Sequence, residues 1–116
     1  DVDHPMVAVR SDDHGQTWSD PVPLAAPGVC PQPLLLDNGV LACSYGTRRY
    51  VHVITSHDGR GVEWSDPVIL YEGQTSGYTS VQALDDDRFR VVHQEGSSNA
   101  FLPGGSRFVR TEFRVH

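Results

Sequence analysis

Lysine is absent from these 116 residues; all nine basic side chains are arginines, against 15 aspartates and glutamates, for a formal net charge of −6. Phosphate backbones are gripped by clustered basic groups that displace counterions, so this balance excludes nucleic acid as a partner. What cationic chemistry remains is the guanidinium fork, which takes a carboxylate through two parallel N–H bonds. No apolar run approaches the roughly 20 residues of a membrane-spanning helix, so no membrane segment is expected. No long window keeps a helical period either. Short alternating runs bounded by glycine and proline, of which there are 11 and 8, predict an all-β chain.

Cysteine is scarce as well. A hairpin turn at Asn38-Gly39 sets Cys43 opposite about Leu34, several residues from Cys30, so two buried, unpaired thiols are expected. The six histidines form no His-x-His or His-x-x-x-His pair, and neither a metal nor a cofactor is expected. Asp85-Asp86-Asp87 is a short carboxylate run suited to solvating a hairpin turn, not a calcium loop. Nothing at Asp1 resembles a signal peptide. Localisation stays open, with a secreted or cell-surface bacterial protein as a compatible setting.

What is present is a repeat. Ser11-Asp12-Asp13-His14-Gly15-Gln16-Thr17-Trp18 continues as Ser19-Asp20-Pro21-Val22, and Ser56-His57-Asp58-Gly59-Arg60-Gly61-Val62-Glu63-Trp64 continues as Ser65-Asp66-Pro67-Val68, with the tryptophans 46 positions apart. In each copy an aspartate two residues after a serine can accept turn N–H groups, a glycine supplies positive φ, and the tryptophan folds back over the turn. Trp18 and Trp64 are therefore expected to be largely buried in equivalent turns. A period of about 40 to 50 residues matches one four-stranded propeller blade.

Strands are predicted at 6–10 and 22–25, then 33–36, 40–45, 50–55 and 68–71, then 78–84, 89–94 and 107–115. This is half a blade (1–27), one complete blade (28–72) and most of another (73–116). A propeller needs at least about four blades, so the chain is expected to be a fragment, poorly folded alone, with Leu34, Leu36 and Val81 exposed toward a hub. In antiparallel blades the repeated turns fall on one rim. The opposite rim is lined by residues 30–32, 46–49, 77–80 and 93–96.

The repeated turns resemble the Asp box of sialidases and related bacterial-neuraminidase-repeat proteins. Ser-x-Asp-x-Gly-x-Thr-Trp is matched in full by Ser11, Asp13, Gly15 and Trp18 with Thr17, and with one inserted residue and Glu63 for threonine by Ser56, Asp58, Gly61 and Trp64. On the opposite rim, Gly77-Tyr78-Thr79-Ser80-Val81-Gln82-Ala83-Leu84 and Val91-Val92-His93-Gln94-Glu95 look like the family's Tyr-Ser-x-Leu and Leu-Tyr-Glu segments, with Thr79 for serine and His93-Gln94 for Leu-Tyr. The resemblance implies the C-terminal part of a six-bladed β-propeller and a retaining exo-α-sialidase. It makes Tyr78 the nucleophile-equivalent, Glu95 an arginine-orienting carboxylate, and Arg48, with Arg49 in reserve, the ligand of the substrate carboxylate.

That chemistry suits the residue types. A sialic acid bears a carboxylate on its anomeric carbon, which repels a carboxylate nucleophile and favours a phenol activated by a base. The partners implied are a sialoglycoconjugate or other carbohydrate and the remaining blades of a parent chain, which would supply the base, the acid and further arginines. Two alternatives stand beside this: a non-catalytic repeat propeller that binds glycans or proteins, and a glycosidase of other specificity on the same scaffold.

Overall fold

A computed structural model describes residues 5–96 and 105–116. The polar Gly/Ser/Asn/Pro loop expected after Gly96 lies largely outside them. The described residues hold no helix and nine strands: β1 (Pro5–Ala8), β2 (Val22–Pro27), β3 (Val29–Leu35), β4 (Leu41–Gly46), β5 (Tyr50–Ser56), β6 (Val68–Glu72), β7 (Thr79–Ala83), β8 (Arg88–Gly96) and β9 (Ser106–Arg114). They form three antiparallel sheets, β1-β2, β3-β4-β5-β6 and β7-β8-β9, none of which closes on itself. The chain is all-β, with a strand at each of the nine places where alternation and turn residues predicted one. No helix among the described residues is long and apolar enough to cross a membrane.

The sheets stack face to face because the middle one is apolar on both sides. Along β4, Cys43 and Tyr45 point one way and Ala42 and Ser44 the other, and all four are buried, the pattern of a strand covered on both faces. On one side Cys43, Tyr45 and Ile54 meet Met6 and Leu24 of the first sheet. On the other, Leu36, Ala42 and Val53 meet Phe89 and Val91 of the third, edged by Leu34, Val81 and Phe113. Phe89 and Phe113 stack at 5.0 Å between centroids. Each fully buried side chain of this size stabilises the stack by about 1.5–3 kcal/mol.

Three expectations are corrected here. Leu36 is buried, and Leu34 and Val81 are partly buried between sheets, because sheet-to-sheet packing takes the apolar faces assigned to a hub. Cys43 pairs with Pro33, one residue from the expected register. Cys30 is a free but exposed thiol, since β3 has a register shift between Val29 and Gln32 and Cys30 takes a φ of 51° there, which turns its side chain out of phase with the strand.

Antiparallel running gives the stack two rims. The β3–β4 and β7–β8 hairpins share one with the repeated turns, and Asn38 joins the last two sheets there, its N–H donating to the Asp86 carbonyl at 3.1 Å and its Nδ2 to the Val115 carbonyl at 2.9 Å. The other rim is tied by the segment between β6 and β7. Gly73 N donates to the Arg49 carbonyl at 2.8 Å and Thr75 N to that of Arg48 at 3.2 Å. Thr75 Oγ1 donates to the Gln94 carbonyl at 2.6 Å, and Ser76 N to Gln94 Oε1 at 2.9 Å.

Candidate functional site

Both repeated turns use one hydrogen-bond plan. In the first, between β1 and β2, Ser11 Oγ donates to Asp13 Oδ1 at 2.8 Å and accepts from Gly15 N at 2.7 Å, while Trp18 Nε1 donates to the Gly15 carbonyl at 3.2 Å. In the second, between β5 and β6, Ser56 Oγ donates to Asp58 Oδ1 at 2.9 Å and accepts from Gly61 N at 3.1 Å, while Trp64 Nε1 donates to the Gly61 carbonyl at 3.0 Å. The base of each is clamped by the serine after the tryptophan: Arg10 N donates to Ser19 Oγ at 2.9 Å and Thr55 N to Ser65 Oγ at 3.0 Å. The inserted residue is accommodated before Gly61, leaving the glycine-to-tryptophan spacing unchanged.

The expected burial of both tryptophans is corrected. Trp64 is partly buried and packs on the core shared with the first sheet, but Trp18 is 61% exposed. The first sheet has two strands, so the described structure provides no further layer for Trp18 to cover.

The aspartates are structural acceptors. Asp13 takes both the N–H and the hydroxyl of Thr17, and these bonds, with that from Ser11, hold its carboxyl at about 2, below the ordinary 3.8. Asp58, in the copy that has Glu63 in place of threonine, keeps the bonds from Arg60 N and Ser56 and is also lowered. A depressed carboxyl favours the fold above its unfolded value and loses that contribution as pH falls through the folded one. The Thr17 amide resonance is therefore expected to hold its position on acidification to near pH 3 and to move with a midpoint near 2; a midpoint near 4 would contradict the turn geometry.

On the opposite rim, Tyr78 stands just before β7, 64% exposed, in a hollow of about 520 Å³ lined also by Ser76, Ser80, Val92, Ser106 and Phe108. Glu95 lines a separate hollow of about 300 Å³ with Tyr71, Gly96, Gly105, Ser106 and Arg107. Arg48 and Arg49 share the rim but line neither hollow; both are exposed, and Arg49 lies 3.6 Å from Glu72 with its guanidinium 6.0 Å from the Tyr50 ring centre. The site residues expected from sequence thus share one rim without converging on one hollow.

Glu95 is the most engaged of them. Its Oε2 accepts from Arg107 Nε at 3.0 Å and Nη2 at 2.8 Å, and its Oε1 lies 3.1 Å from His93 Nε2. These bonds, that from Arg107 foremost, hold its carboxyl below the usual range, so it is ionised and only accepts. His93 Nε2 therefore carries the proton toward it, and the buried Nδ1 is left without a hydrogen-bond partner. The arginine that Glu95 holds is Arg107.

His93 and Arg107 are the side chains that sequence reasoning missed. His93 was accessible to it, since His-x-Glu on one strand puts the two side chains on one face; Arg107 was not, because it lies across from Glu95 only through the β8–β9 register. Comparison with protein-family models, with curated proteins and with solved structures yields no match.

Proposed function

We propose that the chain is part of a six-bladed sialidase-type β-propeller and contributes to the site of a retaining exo-α-sialidase-like glycosidase. The observation that carries this is the pair of turns built on one hydrogen-bond plan in successive four-stranded and two-stranded sheets, which sorts the molecule into a structural rim and a second rim where Tyr78, Glu95, Arg48 and Arg49 gather. In this role Tyr78 gives up its proton to a base and its oxygen attacks the anomeric carbon. The glycosidic oxygen leaves with a proton from an acid, and water later cleaves the sugar–tyrosine bond. Guanidinium groups hold the substrate carboxylate beside the reacting carbon. The base, the acid and the further arginines belong to the remaining blades, and no metal or cofactor enters.

A glycan-binding propeller without hydrolysis is the second reading, favoured by the separation of Tyr78 and Glu95 into two hollows. An assay of the assembled propeller on a fluorogenic aryl α-sialoside, with the product configuration followed by proton NMR, decides between them. Aryl release with initial retention is expected. Glycan binding with no release, or release with inversion, would remove the sialidase assignment.

A further inference from the structure

We propose that the hollow between the first and middle sheets, on the rim of the repeated turns, binds a small alkyl carboxylic acid, its carboxylate taken by Arg10 and Arg60 and its chain laid against Trp64. The site lies on the rim opposite Tyr78 and is independent of the glycosidase assignment. It exists because side-chain length runs out along the seam. Toward the Tyr78 rim Met6 and Tyr45 fill the space between the two sheets, whereas toward the turns the facing residues include Ala8, Cys43 and Gly61, whose short side chains leave a hollow of about 330 Å³. That is the small end of the range for ligand pockets. The seam between the middle and third sheets is instead latched at this rim, where Asn38 bonds to the Asp86 and Val115 carbonyls.

The lining divides by chemistry. Val22, Leu24 and Leu41 with the Trp64 ring supply apolar wall, and Cys43 belongs with them: burial pushes its thiol up to about 11, so it stays neutral and sets no negative charge beside an incoming anion. The charged residues of the lining are Arg10 and Arg60, both cationic. The motif aspartates beside them are engaged within the turns, Asp13 by Ser11 and Thr17, Asp58 by Ser56 and Arg60 N. Asp12 stands 3.6 Å from Arg10 Nε and is 78% exposed, too far for a hydrogen bond and weak as a surface pair. Arg10 Nε is nevertheless buried without a hydrogen-bond partner. An unpaired buried donor is costly, and a ligand carboxylate oxygen would supply the acceptor through a charge-assisted bond. Free phosphate offers nothing to the apolar walls, whereas an alkyl carboxylate covers them and meets the guanidinium groups with one molecule.

The test is an NMR titration of the protein with sodium octanoate, with 1-octanol and with inorganic phosphate, followed at the two indole Nε1–H signals. Octanoate is expected to shift Trp64 and to leave Trp18, which does not line the hollow, in place. Octanol keeps the apolar contacts but loses the charge-assisted bonds, so octanoate is expected to bind on the order of tenfold more tightly. Phosphate should move neither signal. Arg10→Gln should bring octanoate to the level of octanol, while Arg110→Gln, on β9 of the third sheet, should change nothing. Arg60→Gln, at an exposed turn position, is the second variant should Arg10→Gln disturb the fold; it should weaken octanoate and spare octanol. Val22→Phe, which fills the hollow, should weaken both ligands alike. Equal binding of octanoate and octanol, equal shifts at Trp18 and Trp64, a phosphate shift as large as that of octanoate, or octanoate binding untouched by either arginine variant would overturn the proposal. Aryl sialoside cleavage is expected to be indifferent to octanoate, so failure of the glycosidase assignment leaves this result standing.

Discussion

On the proposed sialidase assignment, Tyr78→Phe is expected to cut turnover on an aryl α-sialoside by about a thousandfold or more, equivalent to ~4 kcal/mol of transition-state stabilisation, while sugar binding stays near wild type. The substitution removes one oxygen. Because Tyr78 stands 64% exposed ahead of β7 and belongs to neither buried core, its loss carries no packing penalty, and the melting temperature is expected to be unchanged. A fall in kcat without a fall in stability isolates the phenol oxygen as the reacting group. Were Tyr78 only a rim aromatic on which a sugar stacks, phenylalanine would preserve that surface and kcat would hold. Wild-type turnover in the variant would therefore end the nucleophile assignment and leave the glycan-binding propeller as the better account.

The strands were legible because each has a local cause. β-branched and aromatic residues fill 50–55, Asn38-Gly39 makes a tight turn, and the two Ser-x-Asp motifs close their own loops within a few residues. Rim membership was legible too, since it follows from strand direction alone. What sequence did not reveal depends on which layer covers which. Trp18 and Trp64 have the same local turn, yet among the described residues only Trp64 has a neighbouring sheet to pack against. Cys30 departs from its predicted burial through a single irregularity at the start of β3, and a one-residue change of phase reverses a side chain. The Glu95–Arg107 pair needed the β8–β9 register, which spans a connection whose length alone does not fix the pairing. His93 looked like a mere departure from the family pattern until the structure placed it against Glu95.

Gly46→Ala is expected to be the most destabilising single-methyl addition on this rim, lowering stability by about 3 kcal/mol or more and the melting temperature by roughly 10–20 °C. A Cβ at residue 46 would lie 2.2 Å from the Gly77 carbonyl oxygen and 2.5 Å from its Cα. The obstacle is backbone, so no rotamer change relieves it. Gly77 holds a φ of +79° and lies against the Gly46–Thr47 backbone, where a Cβ of its own would come within 2.6 Å of the Thr47 carbonyl oxygen. Gly39→Ala is the matched control: its φ is +89° but nothing lies within 4 Å of the added methyl, so only the backbone strain remains, about 1 kcal/mol. The consequence reaches function, since the close approach of Gly46 and Gly77 is what sets the segment bearing Tyr78 against the loop bearing Arg48 and Arg49. Forcing the two backbones apart should loosen the bonds from Gly73 and Thr75 to the Arg49 and Arg48 carbonyls, and amide exchange at Gly73 and Thr75 should quicken well beyond that of β4 and β5. Equal melting temperatures for Gly46→Ala and Gly39→Ala would show that the two sheets do not meet at this point, and the common rim would lose its physical basis.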